Sequence, residues 1–304
     1  MKLSRRNALL AGAAAPFATG IAATAYAKAD MKGASSATYN RFTLGAMEVT
    51  TLLAGSRTVE HKQDIFGMNV SEEEFAAASE AAFIPTDKVQ FFFNPTIVNT
   101  GSELVLFDTG LSPASITGPL EAAGYSADQV DTVVISHMHG DHIGGMMDEG
   151  KATFANARYV TASAEFDHWN GADNDNFKAK VAPMAEQFTF LEDGGSVTSG
   201  ITAMMAAGHT PGHTTYMIES EGQQVLITAD LANHYVWSVA YPDWEVKFDM
   251  DKAAAAASRR KVLGMLAADK VPFIGYHMPF PGMGYIEPRD NGFRYVPASY
   301  QMML

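Results

Sequence analysis

"SHMHGDHIGG", residues 136–145, gathers three of the chain's nine histidines and one aspartate into six positions and follows them with a glycine pair. The run before it, "DTVVIS" (131–136), reads as a compact, buried strand. A loop leaving such a strand can aim several side chains at one point, whereas side chains along the strand alternate between its two faces. His137 and His139, two apart, can chelate one ion from one side, and Asp141 and His142, further round the turn, then face a second. Gly140, Gly144 and Gly145 are expected to let the backbone turn tightly there. A solvated, His-rich polar loop is the competing account, and the spacing disfavours it.

Two ions need more ligands than one loop supplies. Downstream, His213 in "GHTPGHTTY" precedes an apolar strand, Asp230 ends "VLITAD" and His277 ends "FIGYH". Each is unremarkable alone; their order after the loop fits ligands presented at one edge of a sheet. The chain has no cysteine, so thiolate ligands, a thiol nucleophile and disulfides are all excluded, and any metal must be held by His, Asp and Glu. No Gly-x-Ser-x-Gly elbow is present either.

The first residues, "MKLSRRNALLAGAAAPFATGIAATAYAKAD", combine a basic start containing Arg5 and Arg6, an apolar stretch from Ala8 and the small-x-small triplet Ala25-Tyr26-Ala27. Residues 1–27 read as a twin-arginine export signal, so the twin-arginine machinery is an expected partner and the mature chain, from near Lys28, is expected in the periplasm or secreted. A membrane anchor is disfavoured by the Ala/Gly-rich run and by Pro16. Removing the signal takes the net charge from −13 to −16, eighteen basic against thirty-four acidic side chains. Such a surface repels nucleic acid and anionic lipid. Residues 28–38 form a Ser/Ala-rich lead-in, and 39–304 are read as one domain.

Within that domain, "YNRFTLGAMEVTTLLAGS" reads as two hairpin strands turning at Gly45, and "DIFGMNVSEEEFAAASEAAF" as a helix capped by Ser71 with Glu74 three residues on. "FFFNPTIVNTGSELVLFDTG" returns to strands, and "SITGPLEAAGYSADQV" is a short helix and loop. Strands follow at 157–162, 201–207, 214–220 and 223–230, then a helix in "DKAAAAASRRKVLGMLAADK" and a final strand at "VPFIGYH". "ADNDNF" (172–177) lacks the central glycine and terminal glutamate of a calcium loop and is read as a polar surface loop. The alternation predicts an α/β arrangement of layered sheets.

"HMHGDH", together with Asp108 in "FDTG", His213, Asp230 and His277, resembles the metallo-β-lactamase superfamily, and the resemblance spans the mature chain. It implies an αββα sandwich: two mixed sheets face to face, helices outside, metals at one edge. It further implies that His137, His139 and His213 hold one ion, that Asp141, His142 and His277 hold the other, that Asp230 bridges them, and that Asp108 orients the His loop. Two divalent ions are expected, zinc first, with manganese, iron or cobalt as alternatives. The implied reaction is hydrolysis by a metal-bridging hydroxide. His209 is expected to hydrogen-bond nearby, and His61, His168 and His234 to be structural or surface residues.

Longer stretches, "AAGYSADQVDTVVISHMHGDHIGGMM", "GHTPGHTTYMIESEGQQVLITAD" and "FPGMGYIEPRDNGFRYVPASY", are similar to methyl parathion hydrolase and its lactone- and aryl-ester-cleaving relatives. That similarity implies a neutral, partly apolar ester substrate (an organophosphate triester, a lactone or an aryl ester) and a homodimer. Phe91, Phe92, Phe93, Trp169, Tyr235 and Trp237 are the candidates for an aromatic substrate mouth. "NPTIVN" and "LANHYVWSVAYPDW" depart from that group and leave the choice among those esters open. The alternatives are a thioesterase or β-lactamase of another branch, or a metal-binding protein without turnover. Asp230 stands where one β-lactamase subclass has cysteine, and only 27 residues follow His277, too few for the C-terminal domain of hydroxyacylglutathione hydrolases.

Overall fold

Alternation along single strands decides the layering. In Leu104–Phe107, Leu104 and Leu106 point to one apolar cluster while Val105 and Phe107 point to another. Both faces are therefore buried, as a sheet covered on two sides requires. The computed structural model describes residues 29–303 apart from His61, so the export signal expected at 1–27 lies outside the described residues.

Two seven-stranded sheets carry the molecule, each with its strands in sequence order. The first runs from Tyr39–Leu44 through Met47–Leu52, Thr96–Asn99, Leu104–Phe107, Thr132–Val134 and Arg158–Ala162 to Phe188–Leu191. The second runs from Ser196–Thr198 through Ile201–Met205, Thr214–Ser220, Gln223–Ala229, Phe273–Gly275 and Met283–Arg289 to Gly292–Pro297. Parallel and antiparallel pairings coexist in both. Val49, Val98 and Val160 of the first sheet meet Tyr216, Ile218 and Ile227 of the second in one buried cluster, so the sheets pack face to face. Helices Pro113–Ala122 and Ser163–Gly171 cover the outside of the first sheet, and Lys252–Asp269 covers the second. This is the αββα sandwich.

Local signals account for the helix starts. Ser71 accepts the Glu74 N–H at 3.2 Å ahead of Glu72–Ala81, and Asp251 accepts the Ala254 N–H at 2.9 Å ahead of Lys252–Asp269. Three sequence expectations need correction. The helix read from "SITGPL" starts two residues earlier, at Pro113, because Ser112 and Ser115 cap it reciprocally. "ADNDNF" is not a loop throughout: Asn174 caps a helix, Asp175–Lys180, that buries Phe177. The strand at Phe273–Gly275 is not the last, since a hairpin of Met283–Arg289 and Gly292–Pro297 follows and extends the second sheet.

A smaller antiparallel hairpin, Gly55–Glu60 with Lys88–Phe93, stands beside the sandwich and packs with helix Glu72–Ala81 against Trp237, Trp244 and Tyr276. It walls the edge at which the histidines collect. No helix among the described residues is long and apolar enough to cross a membrane.

Candidate metal centre

Strand ends deliver the site. Thr132–Val134 runs into His137 and a one-turn helix, Gly140–Ile143, with His139 at its N-cap. Gln223–Ala229 ends one residue before Asp230, and Phe273–Gly275 two before His277. Two non-glycine residues here take the left-handed region: Asp108 at φ 60° and Ala229 at φ 45°. That backbone costs on the order of 1–2 kcal/mol per residue, and its occurrence at both carboxylate-bearing strand ends marks a functional edge. The glycines after the His loop serve close approach rather than the turn. Neither Gly144 nor Gly145 has a positive φ, but a Cβ on them would lie 2.3 Å from the Leu111 carbonyl and 2.2 Å from that of Thr109.

Around Asp230, His142 Nε2 lies 3.2 Å from Oδ1, while His277 Nε2 and His209 Nε2 each lie 3.2 Å from Oδ2. Asp141 Oδ2 stands 3.4 Å from His277 Nε2 and 3.6 Å from His142 Nε2. His137 Nε2 is 3.2 Å from His139 Nδ1 and 3.9 Å from Asp230 Oδ2. Three overlapping sets have donor atoms close enough to share an ion: His137, His139 and His209; His137, His142 and Asp230; Asp141, His142 and His277.

The rings are held from behind. His142 Nδ1 is 2.9 Å from Asp108, whose carboxylate also accepts the Ser136 N–H and hydroxyl at 2.8 Å each. His277 Nδ1 donates to the Phe92 carbonyl at 2.8 Å and His213 Nδ1 to that of Ala206 at 3.0 Å. His209 Nδ1 is 2.9 Å from Asp249, which is in turn held by Arg259 through two bonds of 2.9 and 3.0 Å. Anchoring Nδ1 in this way fixes the tautomer and turns Nε2 inward, as in metal sites where a carboxylate or carbonyl backs a ligating imidazole.

Charge divides the cluster. Burial, with His142 adding to it, holds His137 well below the usual imidazole range; burial and His209 bring His139 down to about 4 and His213 to about 3. For His277, burial pulls downward but is outweighed by Asp230 and Asp141, which carry it up to about 10. His142 likewise rises, against burial, under Asp230, Asp108 and Asp141. Burial would raise Asp141, yet His142 and His277 bring it down to about 2. A cation bound among these carboxylates would compete with protons for the imidazole nitrogens beside them. His142 Nε2 and Asp230 Oδ1 are buried without a hydrogen-bond partner, which fits atoms shaped for a metal rather than for each other.

Of the residues expected from the sequence, His137, His139, Asp141, His142, Asp230 and His277 come together in these sets, and Asp108 stands behind His142. His213 does not enter a set: its Nε2 accepts the Asp230 N–H at 3.1 Å. His209, expected to hydrogen-bond nearby, does so with Asp249 and also places Nε2 3.0 Å from His139 and 3.2 Å from His137, within one of the three sets. Asp249 and Asn233, whose amide donates to Asp230 Oδ2 at 2.9 Å, went unread, because neither lies in a motif.

Over the cluster opens a cavity of about 420 Å³ floored by His139, Asp141, Asp230 and His277 and walled by Phe91, Phe93, Ile65 and Leu111, with Arg57 also lining it. The remaining aromatic candidates do not line this cavity, although His277 borders both it and the next. Phe92, Tyr235 and Trp237 line a different cavity, of about 530 Å³, because successive residues of Lys88–Phe93 face opposite ways. Trp169 is buried, with its ring centroid 5.8 Å from that of His139. His234 is buried on Trp237, and His168 lies beside Trp169; His61 is outside the described residues.

With sandwich and cluster in place, the class follows: residues 91–273 match the family model described as the metallo-β-lactamase superfamily, and the chain belongs to that superfamily. An N-acyl homoserine lactonase of a Bacillus species is 28% identical over 116 residues, 38% of this chain and 44% of that protein. The chain thus spans less than half the length of the curated lactonases it matches. Among solved structures, AidC, described as a dizinc quorum-quenching lactonase in complex with its product, is 27% identical, with a TM-score of 0.80 over 86% of this chain and 98% of that one. The hydrolase AbOPH, 24% identical over 88% of this chain and 99% of its own, superposes with a TM-score of 0.81 and shares the fold.

Proposed function

We propose that the protein is a dinuclear metal-dependent hydrolase of neutral, partly apolar esters, with lactones as its preferred class. The observation that carries this reading is the convergence of inward-turned Nε2 atoms and two carboxylates on the floor of an apolar cavity. His137, His139, Asp141, His142, His277 and Asp230 would hold the ions, with Asp230 between the groups; His213 and His209 compete for one further place. Bound there, two divalent ions would supply an activated water and draw electron density toward the ester's carbonyl oxygen, making the carbonyl carbon more electrophilic. Zinc suits the nitrogen-rich set best.

The chain's own residues do the rest. Asp108 and the Phe92 carbonyl hold His142 and His277 in one orientation, so the floor needs no rearrangement when substrate arrives. Phe91, Phe93, Ile65 and Leu111 exclude water from the ester and receive its apolar part. The acidic surface disfavours anionic substrates approaching from solution. The resemblance to AidC along nearly its whole length supports lactones among the neutral esters.

The test is kcat/KM for an N-acyl homoserine lactone, a p-nitrophenyl ester and a methyl parathion-type phosphotriester on one preparation. Lactone hydrolysis is expected to lead. A β-lactam or an anionic glutathione thioester cleaved orders of magnitude faster than all three would overturn the substrate assignment.

A further inference from the structure

Glu165, in helix Ser163–Gly171, is fully buried and makes no ion pair among the described residues. Four donors converge on its carboxylate instead. Oε1 accepts the Met138 N–H at 2.8 Å and the Trp169 indole N–H at 2.6 Å; Oε2 accepts the Thr210 hydroxyl at 2.6 Å and the Gly212 N–H at 3.0 Å. Met138 lies between His137 and His139, and Thr210 and Gly212 lie between His209 and His213. The two His-bearing loops, some seventy residues apart in sequence, thus meet on one side chain. The fit is close: a Cβ on Gly212 would stand 2.1 Å from the Glu165 amide nitrogen.

We propose that Glu165 is a positioning residue that sets the distance between the 137–139 loop and the 209–213 loop, and through it the geometry of the ion bound by their histidines. The proposal rests on the metal-centre reading given above. Three of its four partners, two peptide N–H groups and an indole N–H, can only donate. A carboxylate, with two acceptor oxygens, is the side chain that serves them all. Whichever way a glutamine is turned, its NH2 group faces a peptide N–H, and one loop must move away. A group needed only to fill space would tolerate that isosteric exchange; a group that spaces the loops would not.

The experiment compares wild type, Glu165→Gln and Thr210→Val, the last removing one of the four bonds while leaving the carboxylate. Zinc affinity is measured by competition with a chromophoric chelator, the visible spectrum is recorded on the cobalt-loaded proteins, and melting is followed on the metal-free ones. Glu165→Gln is expected to lose at least about tenfold in zinc affinity and to shift the cobalt bands, as removal of groups backing metal ligands does. Thr210→Val should shift both in the same direction by less, and it carries the test alone if Glu165→Gln fails to fold. Wild-type affinity and an unshifted cobalt spectrum in the variants overturn the proposal, as does an affinity loss that only tracks a lower melting temperature of the metal-free protein. Wild type that binds no zinc overturns the metal-centre reading instead.

Discussion

Asp230 is the residue on which the centre turns, because its two oxygens face different histidines: His142 on one side, His277 and His209 on the other. Asp230→Ala is therefore expected to empty both positions together, from about two ions per chain to fewer than one by elemental analysis; retention of one full equivalent would show that the positions are independent. His234 gives a prediction of another kind. Burial alone brings its ring down to about 3, and Nδ1 accepts the Val236 and Trp237 N–H groups at 3.1 and 3.2 Å. The folded protein keeps this ring neutral while the unfolded chain takes up a proton near pH 6.5, so stability falls as pH drops from about 6.5 toward 3, at up to ~1.4 kcal/mol per pH unit. Denaturant unfolding at pH 7 and 5 in the presence of chelator should show a smaller acid loss for His234→Asn than for wild type. Equal losses would remove His234 from the account. At this scale the sequence was legible where ligands sit in a motif, as with "HMHGDH". Asp249, Asn233 and Glu165 were not, since each meets its partners only after folding.

Elements were legible where a cap and a long apolar pattern coincide. Lys252–Asp269 is bounded as read, with Asp251 as its cap and Lys270 in the left-handed region at its end. The cap also ties the helix to the site, because the Asp251 N–H donates to the Gly208 carbonyl and the Met250 N–H to that of His209. Asp251→Ala is expected to cost about 1 kcal/mol of stability in denaturant unfolding, with the zinc content unchanged because those two bonds use the backbone. A loss of metal would mean that the side chain also holds the 208–213 loop. The elements missed were short. In Met283–Arg289 the exposed Glu287, Pro288 and Arg289 interrupt the apolar pattern of a strand paired on one side with Phe273–Gly275 and on the other with the edge strand Gly292–Pro297, and Asp175–Lys180 is a six-residue helix held by Asn174 and buried Phe177.

The whole molecule is one division of labour between two halves of a chain. Residues 39–191 build one sheet and 196–297 the other, and ligands from both are brought to a common edge. The layered α/β class was legible from strand runs separated by helices. The cavity was not, because whether Phe91 or Phe92 faces the ligands depends on the register of a hairpin whose strands are 28 residues apart. The proposed hydrolysis draws ligands from both halves, and metal titration tests it by counting the ions that activity requires. Protein stripped by chelator and then titrated with zinc should regain hydrolysis of an N-acyl homoserine lactone, with activity levelling off at about two equivalents per chain. Full activity in the stripped protein, or a plateau at one equivalent, would contradict a dinuclear hydrolase.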